Sequence, residues 1–389
     1  MSRRAMLGGM AALGVAAGPG KAFATTHTFS PVQRDFSDPY LELIRLLKEG
    51  AEIEHDLMVQ YLYGAFSLRP TYAGVVGTPA PNATSLLGVI VEEMHHLAAV
   101  NRLLVELEAK PVLSRQDFPY ETDIYPFPFE MAPLGPTSLA KYVYCEADKT
   151  RLKRARSVVD DSYLIDKLKA TLGNGIAPNH VGSLYDAIIE TILEVKKAGG
   201  VKLDYDAWYE GLGNIKADGE FGHFRFFQSL YEAAHPLLRQ VPDIWELPAT
   251  DERHPCYAVP VNPTAYEGRA NTIKDPDLRS LAWLGNLNYW CQLLLLDQGY
   301  RRKSRTETAL AQAIMMGPLY SIAQYLPPKG AAVPFDPLSM GFDPGLNEAA
   351  GRRFTHRMLQ ETRDYARSID KLLPGNFDLK IYDQLLASV

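Results

Sequence analysis

Two Glu-x-x-His pairs stand out in this chain: Glu93-Met94-His95-His96 and Glu220-Phe221-Gly222-His223. Residues three apart share one face of a helix, so each pair can aim a carboxylate and an imidazole at one point. Carboxylate oxygens and imidazole nitrogens are hard and borderline donors, suited to iron or manganese. Two helices carrying such pairs, joined by one Glu from each of two more, build a di-metal carboxylate centre inside a four-helix bundle. Such a centre serves dioxygen or peroxide activation, or metal handling.

The elements that must position these residues are legible from periodicity. Pro39 to Leu68 reads as a first helix, ended by Pro70. Its apolar face holds Leu43, Leu47, Ala51, Met58, Tyr61 and Ala65, with Glu54 in the middle. Glu52 and Asp56 fall opposite. Carboxylates are almost never buried unless paired or metal-bound, which singles out Glu54. Ser85 to Glu108 reads as a second helix with an inner stripe of Leu86, Ile90, Leu97, Val100 and Leu104. Glu93 lies on that stripe and His96 at its border, whereas His95, of the overlapping Glu92/His95 pair, faces away.

A long connection follows, about Pro111 to Asn179, opening with Phe118, Tyr120, Tyr125, Phe127 and Phe129. Short helical pieces are predicted within it, around Ser138 to Glu146 and Asp160 to Thr171. His180 to Lys197 is the third main helix, stopped by Gly199-Gly200, and Lys216 to Ala234 the fourth. On the fourth, Glu220, His223, Phe224, Phe227 and Tyr231 share a face. The sixth ligand should be a carboxylate from the third helix, Glu190 or Glu194. Both fall opposite the stripe of Val181, Tyr185, Ile188, Ile192 and Val195, so either this helix is buried on two sides or one ligand comes from elsewhere; Glu190 is the choice. The expected metal set is therefore Glu54, Glu93, His96, Glu190, Glu220 and His223. The competing reading is a polar core in which Glu54 and Glu220 merely neutralise His96 and His223. His55, His95, His180 and His235 read as surface or packing residues.

Beyond Pro236, helices are expected near Leu278–Leu296, Glu307–Tyr325 and Asn347–Leu372. The fold class is thus all-α: a ferritin-like four-helix bundle over residues 38–240, with a long B–C crossover, and an α-helical extension over 241–389 packed on it. A net charge of -6 gives no reason to expect nucleic acid as partner. Three scattered cysteines leave room for one disulfide and speak against a cysteine metal site. There is no G-x-S-x-G elbow and no H-E-x-x-H. Haem needs only one His or Tyr as axial ligand, so it stays compatible with the chain without any residue pointing to it.

Residues 1–24 read as an address. Ser2-Arg3-Arg4 is a twin-arginine pattern, Gly8 to Ala17 a small-residue apolar run too short to span a bilayer, and Ala22-Phe23-Ala24 a cleavage site. The expectation is a periplasmic or secreted protein exported already folded, with the twin-arginine machinery as partner.

Ile53-Glu54-His55-Asp56-Leu57-Met58-Val59-Gln60-Tyr61-Leu62-Tyr63 resembles the opening helix of a bacterial ferritin-like family named for iminophenyl-pyruvate dimer synthase. Enzymes of violacein and rebeccamycin biosynthesis belong to that family. Glu92-Glu93-Met94-His95-His96-Leu97 resembles its second-helix motif. Val181-Gly182-Ser183-Leu184-Tyr185 and Gly219-Glu220-Phe221-Gly222-His223-Phe224 are similar to its later motifs. Met315-Met316-Gly317-Pro318-Leu319, running on to Leu326-Pro327-Pro328, resembles a C-terminal segment. The likeness covers about Leu41 to Pro328. It implies metal ligands at Glu54, Glu93, His96, Glu220 and His223, a di-iron or manganese cofactor, and oxidative chemistry on a small-molecule substrate with dioxygen or peroxide. A homodimer is compatible with it. An acidic residue often stands in the family where this chain has Ser183, so the third-helix ligand stays open. Two finer alternatives follow: oxidative coupling of two imines derived from an aromatic amino acid, as the dimer synthases perform, or non-enzymatic metal storage.

Overall fold

The computed structural model describes residues 32–115, 127–148, 162–173, 180–337 and 347–389. The twin-arginine segment and the aromatics Phe118, Tyr120 and Tyr125 lie outside them. Among the described residues the chain is helical, without a strand; two isolated bridges, Leu68 with Cys256 and Thr264 with Thr272, are its only β pairing.

The first long helix, α1 (Pro39–Ser67), starts where the Asp38 side chain accepts the Leu41 backbone N–H and Pro39 presets the first turn. It ends as Leu68 turns extended ahead of Pro70, which cannot continue a helix. α2 (Leu86–Glu106) is capped by Ser85, whose hydroxyl accepts from Gly88 N–H at 3.2 Å. α3 (Pro136–Glu146) and α4 (Ser162–Leu172) fall within the crossover. α5 (Val181–Ala198) is capped by the buried His180 ring, which accepts from Gly182 N–H at 3.1 Å, and stops at Gly199 in the left-handed region. α6 (Tyr205–Ala217) runs through a π-helical turn, Asp218–His223, into α7 (Phe224–Tyr231).

α1 packs chiefly against α2 and α5, and α3 against α7. These contacts converge on an aromatic layer in which Phe227 meets Tyr61 at 4.7 Å and Tyr142 at 5.2 Å between ring centroids. The helices of the extension are α8 (Pro276–Arg302), α9 (Arg305–Ile314), α10 (Tyr320–Tyr325), α11 (Glu348–Ser368) and α12 (Lys380–Ser388), with a second π turn at Met315–Leu319.

The extension covers the face of α1 that periodicity leaves outside. His55 is buried and hydrogen-bonded through Nε2 to the Tyr289 hydroxyl of α8 at 2.7 Å. Asp56, expected to point to solvent, is buried beside it. A helix packed on every side carries buried residues all round, so its polar positions cease to mark a surface. A strap from Arg253 to Asn262 fastens the C-terminal end of α1. Tyr72 donates to Arg253 O, Arg69 N–H to Pro255 O and Tyr257 N–H to Ser67 O. No described helix is long and apolar enough to cross a membrane. Cys145, Cys256 and Cys291 are buried and free, so no disulfide forms.

Candidate metal centre

Five buried side chains from four elements, α1, α2, α3 and the π turn, converge. Glu54, Glu93 and His96 offer one group of ligand atoms; Glu93, Glu146 and His223 offer a second. Within each group the atoms lie within 4.8 Å of one another, and Glu93 alone belongs to both. The two imidazole rings stack at 5.7 Å between centroids, one over each group.

Each ring presents Nδ1 to the cluster. His96 Nδ1 is 3.2 Å from Glu93 Oε2 and 3.7 Å from Glu54 Oε2. His223 Nδ1 is 2.9 Å from Glu93 Oε1 and 3.7 Å from Glu146 Oε1. The outer nitrogens meet carboxylates that can only accept: His223 Nε2 lies 2.9 Å from Glu92 and His96 Nε2 3.4 Å from Asp218. A carboxylate on Nε2 fixes the proton there in the neutral ring and leaves the Nδ1 lone pair facing inward, the outer support that metal-binding histidines use.

The donors fit a metal pair by their orphaned atoms. His223 Nδ1, although 2.9 Å from an oxygen, makes no aligned hydrogen bond, and neither does Glu54 Oε2. Glu54 belongs to one ligand group and His223 to the other, so each group contains a residue with a buried atom that lacks a hydrogen-bond partner. Three carboxylates with two neutral imidazoles would carry a formal charge of -3 in a buried site, which is costly without cations. The protein groups alone already show that stress. Burial first, then the charge of Glu93, pushes the Glu54 carboxyl up to about 8. Burial also works to raise Glu93, yet His223 and then His96 outweigh it and hold that carboxyl well below its ordinary range. On His96 burial disfavours charge, but Asp218, Glu54 and Glu93 raise its pKa well above the usual value; on His223 Glu93, Glu146 and Glu92 do the same. Protons would share this space with each other at a cost that divalent cations remove.

Two tyrosines hold the outer carboxylates. Tyr61 donates to Glu146 Oε1 at 2.6 Å and Tyr185 donates to Glu54 Oε1. Beside the cluster lies a pocket of about 320 Å³, lined by the converging groups together with Val181, Tyr185, Lys216 and Glu220.

The structure thus gathers Glu54, Glu93, His96 and His223 but departs from the expected set at two positions. Glu190 is exposed on α5, and Glu194 pairs with Arg34 at the surface. α5 contributes the Tyr185 hydroxyl instead; Ser183 is buried but does not border the pocket. The carboxylate expected from that helix is replaced by Glu146, the last residue of α3. Glu220 lines the pocket but belongs to neither group, and its nearest cation is Lys216 Nζ at 3.6 Å. The Glu-x-x-His spacing presumes an α-helix. The π turn is wider, with i→i+5 bonding, so Glu220 stays at the pocket wall beside Lys216 while His223 joins the cluster, and the exposed Asp218 reaches only the outer nitrogen of His96. Two glycines permit this approach: a Cβ on Gly219 would lie 2.7 Å from Glu146 Oε2, and one on Gly182 2.4 Å from Glu220 Oε1. Glu146 was discoverable: it closes Tyr142-Val143-Tyr144-Cys145-Glu146, a carboxylate in an apolar run, the criterion that selects Glu54.

Comparison with known proteins agrees with this architecture. Residues 47–228 match the ferritin-like family. Dichlorochromopyrrolate synthase of Lentzea aerocolonigenes is 25% identical over 351 residues, covering 73% of this chain and 34% of that one. The chain therefore spans about a third of the length of that curated relative. No solved structure matches significantly.

Proposed function

Taking the ferritin-like domain over residues 47–228 as the premise, we propose that this chain is a di-metal carboxylate oxidoreductase. The observation that carries the reading is Glu93, the one residue shared by two carboxylate–imidazole groups that are otherwise separate. Glu54 and His96 would complete one ion's shell, Glu146 and His223 the other's, with Glu93 between them. When bound, a pair of iron or manganese ions would supply the capacity to bind and reduce dioxygen or peroxide. The protein's own part is to hold this set rigid. Asp218 and Glu92 orient the imidazoles, Tyr185 and Tyr61 orient the outer carboxylates, and the surrounding core keeps bulk water away. Purified protein should contain about two transition-metal ions per chain by elemental analysis, with no Soret band. A protein that neither retains nor takes up metal would refute the assignment.

The likeness to dichlorochromopyrrolate synthase supports a finer proposal, oxidative coupling of two imines derived from an aromatic amino acid. Its test is turnover of the imine generated by an amino-acid oxidase; absence of a dimeric product from metal-loaded protein would reject it. We further propose export by the twin-arginine route, on the Arg3-Arg4 and Ala22-Phe23-Ala24 patterns. A mature N-terminus at Thr25 in the periplasmic fraction is expected, and a cytoplasmic full-length chain would overturn it.

A further inference from the structure

A second concavity, unrelated to the polar pocket at the metal cluster, opens where the extension meets the bundle. It is a cleft whose free space, counted out to open solvent, is about 570 Å³. Four thioethers line it: Met58 from α1, Met94 from α2, and Met315 and Met316 from the second π turn. The rings of Phe66, Tyr320 and Phe335 complete the walls. Among the described residues, no Lys, Arg, Asp, Glu or His borders it. Unbranched thioethers adapt their shape and make favourable sulfur–aromatic contacts, which suits a variable apolar occupant. Met316 is 38% exposed and sits at the turn, whose Pro318 interrupts regular helix bonding. π turns recur at functional sites.

Three polar side chains border this apolar space: Gln292, Tyr289 and Tyr320. Gln292 on α8 is 8% exposed and lines the cleft, yet its carboxamide hydrogen-bonds to nothing among the described residues. An amide with so little access to water gains from any partner that an occupant of the cleft supplies. The Tyr320 hydroxyl already accepts from Gln324 Nε2 at 2.6 Å, and Tyr289 is held from behind by His55 Nε2 at 2.7 Å and Arg115 Nη1 at 3.3 Å. Tyr289 therefore acts as a fixed wall.

We propose that this cleft binds a neutral, largely apolar small molecule whose single hydrogen-bonding group meets the Gln292 carboxamide. Neutrality follows from the lining: a carboxylate or ammonium placed here would be desolvated with no counter-charge. The inference is independent of metal loading.

The test uses metal-free protein labelled with ¹³C at the methionine methyls and 2-naphthol as probe. Met58, Met94, Met315 and Met316 are the reporters, and Met131 and Met358, which do not line the cleft, are internal controls. Saturable shifts confined to the four reporters are expected. 2-Naphthoate, with the same rings and a charge, should bind about tenfold more weakly or worse. Gln292→Leu should weaken 2-naphthol about three- to tenfold while leaving naphthalene unchanged. Met316→Trp, a substitution at the exposed mouth that the fold can absorb, should weaken both. Equal shifts at Met131 and Met358, binding of naphthoate as tight as naphthol, or indifference to both substitutions would each overturn the proposal. A metal-free protein that binds the probe keeps this site even if the metal assignment fails.

Discussion

Glu146→Gln tests the position at which sequence pattern and fold part company. The carboxamide keeps the shape of the side chain and still offers Tyr61 an acceptor where the hydroxyl now donates at 2.6 Å. What it removes is one of two carboxylates in the group formed with Glu93 and His223. Loss of an outer partner of a metal ligand costs about 10–100-fold in affinity. Loss of a direct anionic ligand should therefore cost at least about 100-fold, or about 2.8 kcal/mol. The metal-free fold should barely notice. The variant also relieves repulsion between buried carboxylates around His223, so its melting temperature should stay within about 4 °C of the parent. Anaerobic titration with a divalent transition metal against a competing chelator is the assay. The parent should show two tight equivalents per chain, and Glu146→Gln one tight and one weak. Glu190→Gln, on the exposed face of α5, should retain both. Two tight equivalents in Glu146→Gln, or loss of one in Glu190→Gln, would refute the reasoning.

Glu92→Gln removes the acceptor that fixes the proton on His223 Nε2 at 2.9 Å. It should lower affinity at the Glu93–Glu146–His223 group about 10–100-fold, leaving the other group unchanged, as read by the same titration. In metal-free protein at a pH high enough to hold the His223 ring neutral, imidazole ¹⁵N shifts should show a mixture of tautomers where the parent shows one; an unchanged ring would argue against the assignment. Phe227→Ala empties a fully buried position between Tyr61 and Tyr142 and should cost about 3–5 kcal/mol in urea unfolding. A cost below about 1 kcal/mol would mean that this aromatic layer is not a packed core. Burial pushes the Cys256 and Cys291 thiols up to about 12 and raises Cys145 well above its usual value. Native protein at about pH 8 should resist an aromatic disulfide reagent, and denatured protein should release three equivalents. Rapid labelling of the native state would show that one of these sites opens.

Periodicity, with the prolines and glycines that end helices, located the main helices because those signals are local. Asp38, Ser85, Asp275 and Asn347 each cap the helix that follows them. Glu54 and Glu93 were legible for a related reason: a carboxylate on an apolar stripe must find compensation, and only an interior site provides it. His96 followed from its spacing to Glu93 on a regular α-helix.

Tertiary structure decided the rest. Glu146 enters because α3 packs on α7 and brings its last residue against His223, a contact 77 positions apart in sequence that no local pattern encodes. Glu220 leaves because the backbone widens into a π turn, which rotates a motif that reads as one face. His55 turns inward because α8 covers the outer side of α1, supplying the Tyr289 hydroxyl from more than 200 residues away, and Asp56 is buried beside it. Sequence thus set which segments become helices and which acidic residues need an interior partner. Packing among those helices chose the partners, since register and crossing depend on the summed fit of side chains across elements distant along the chain.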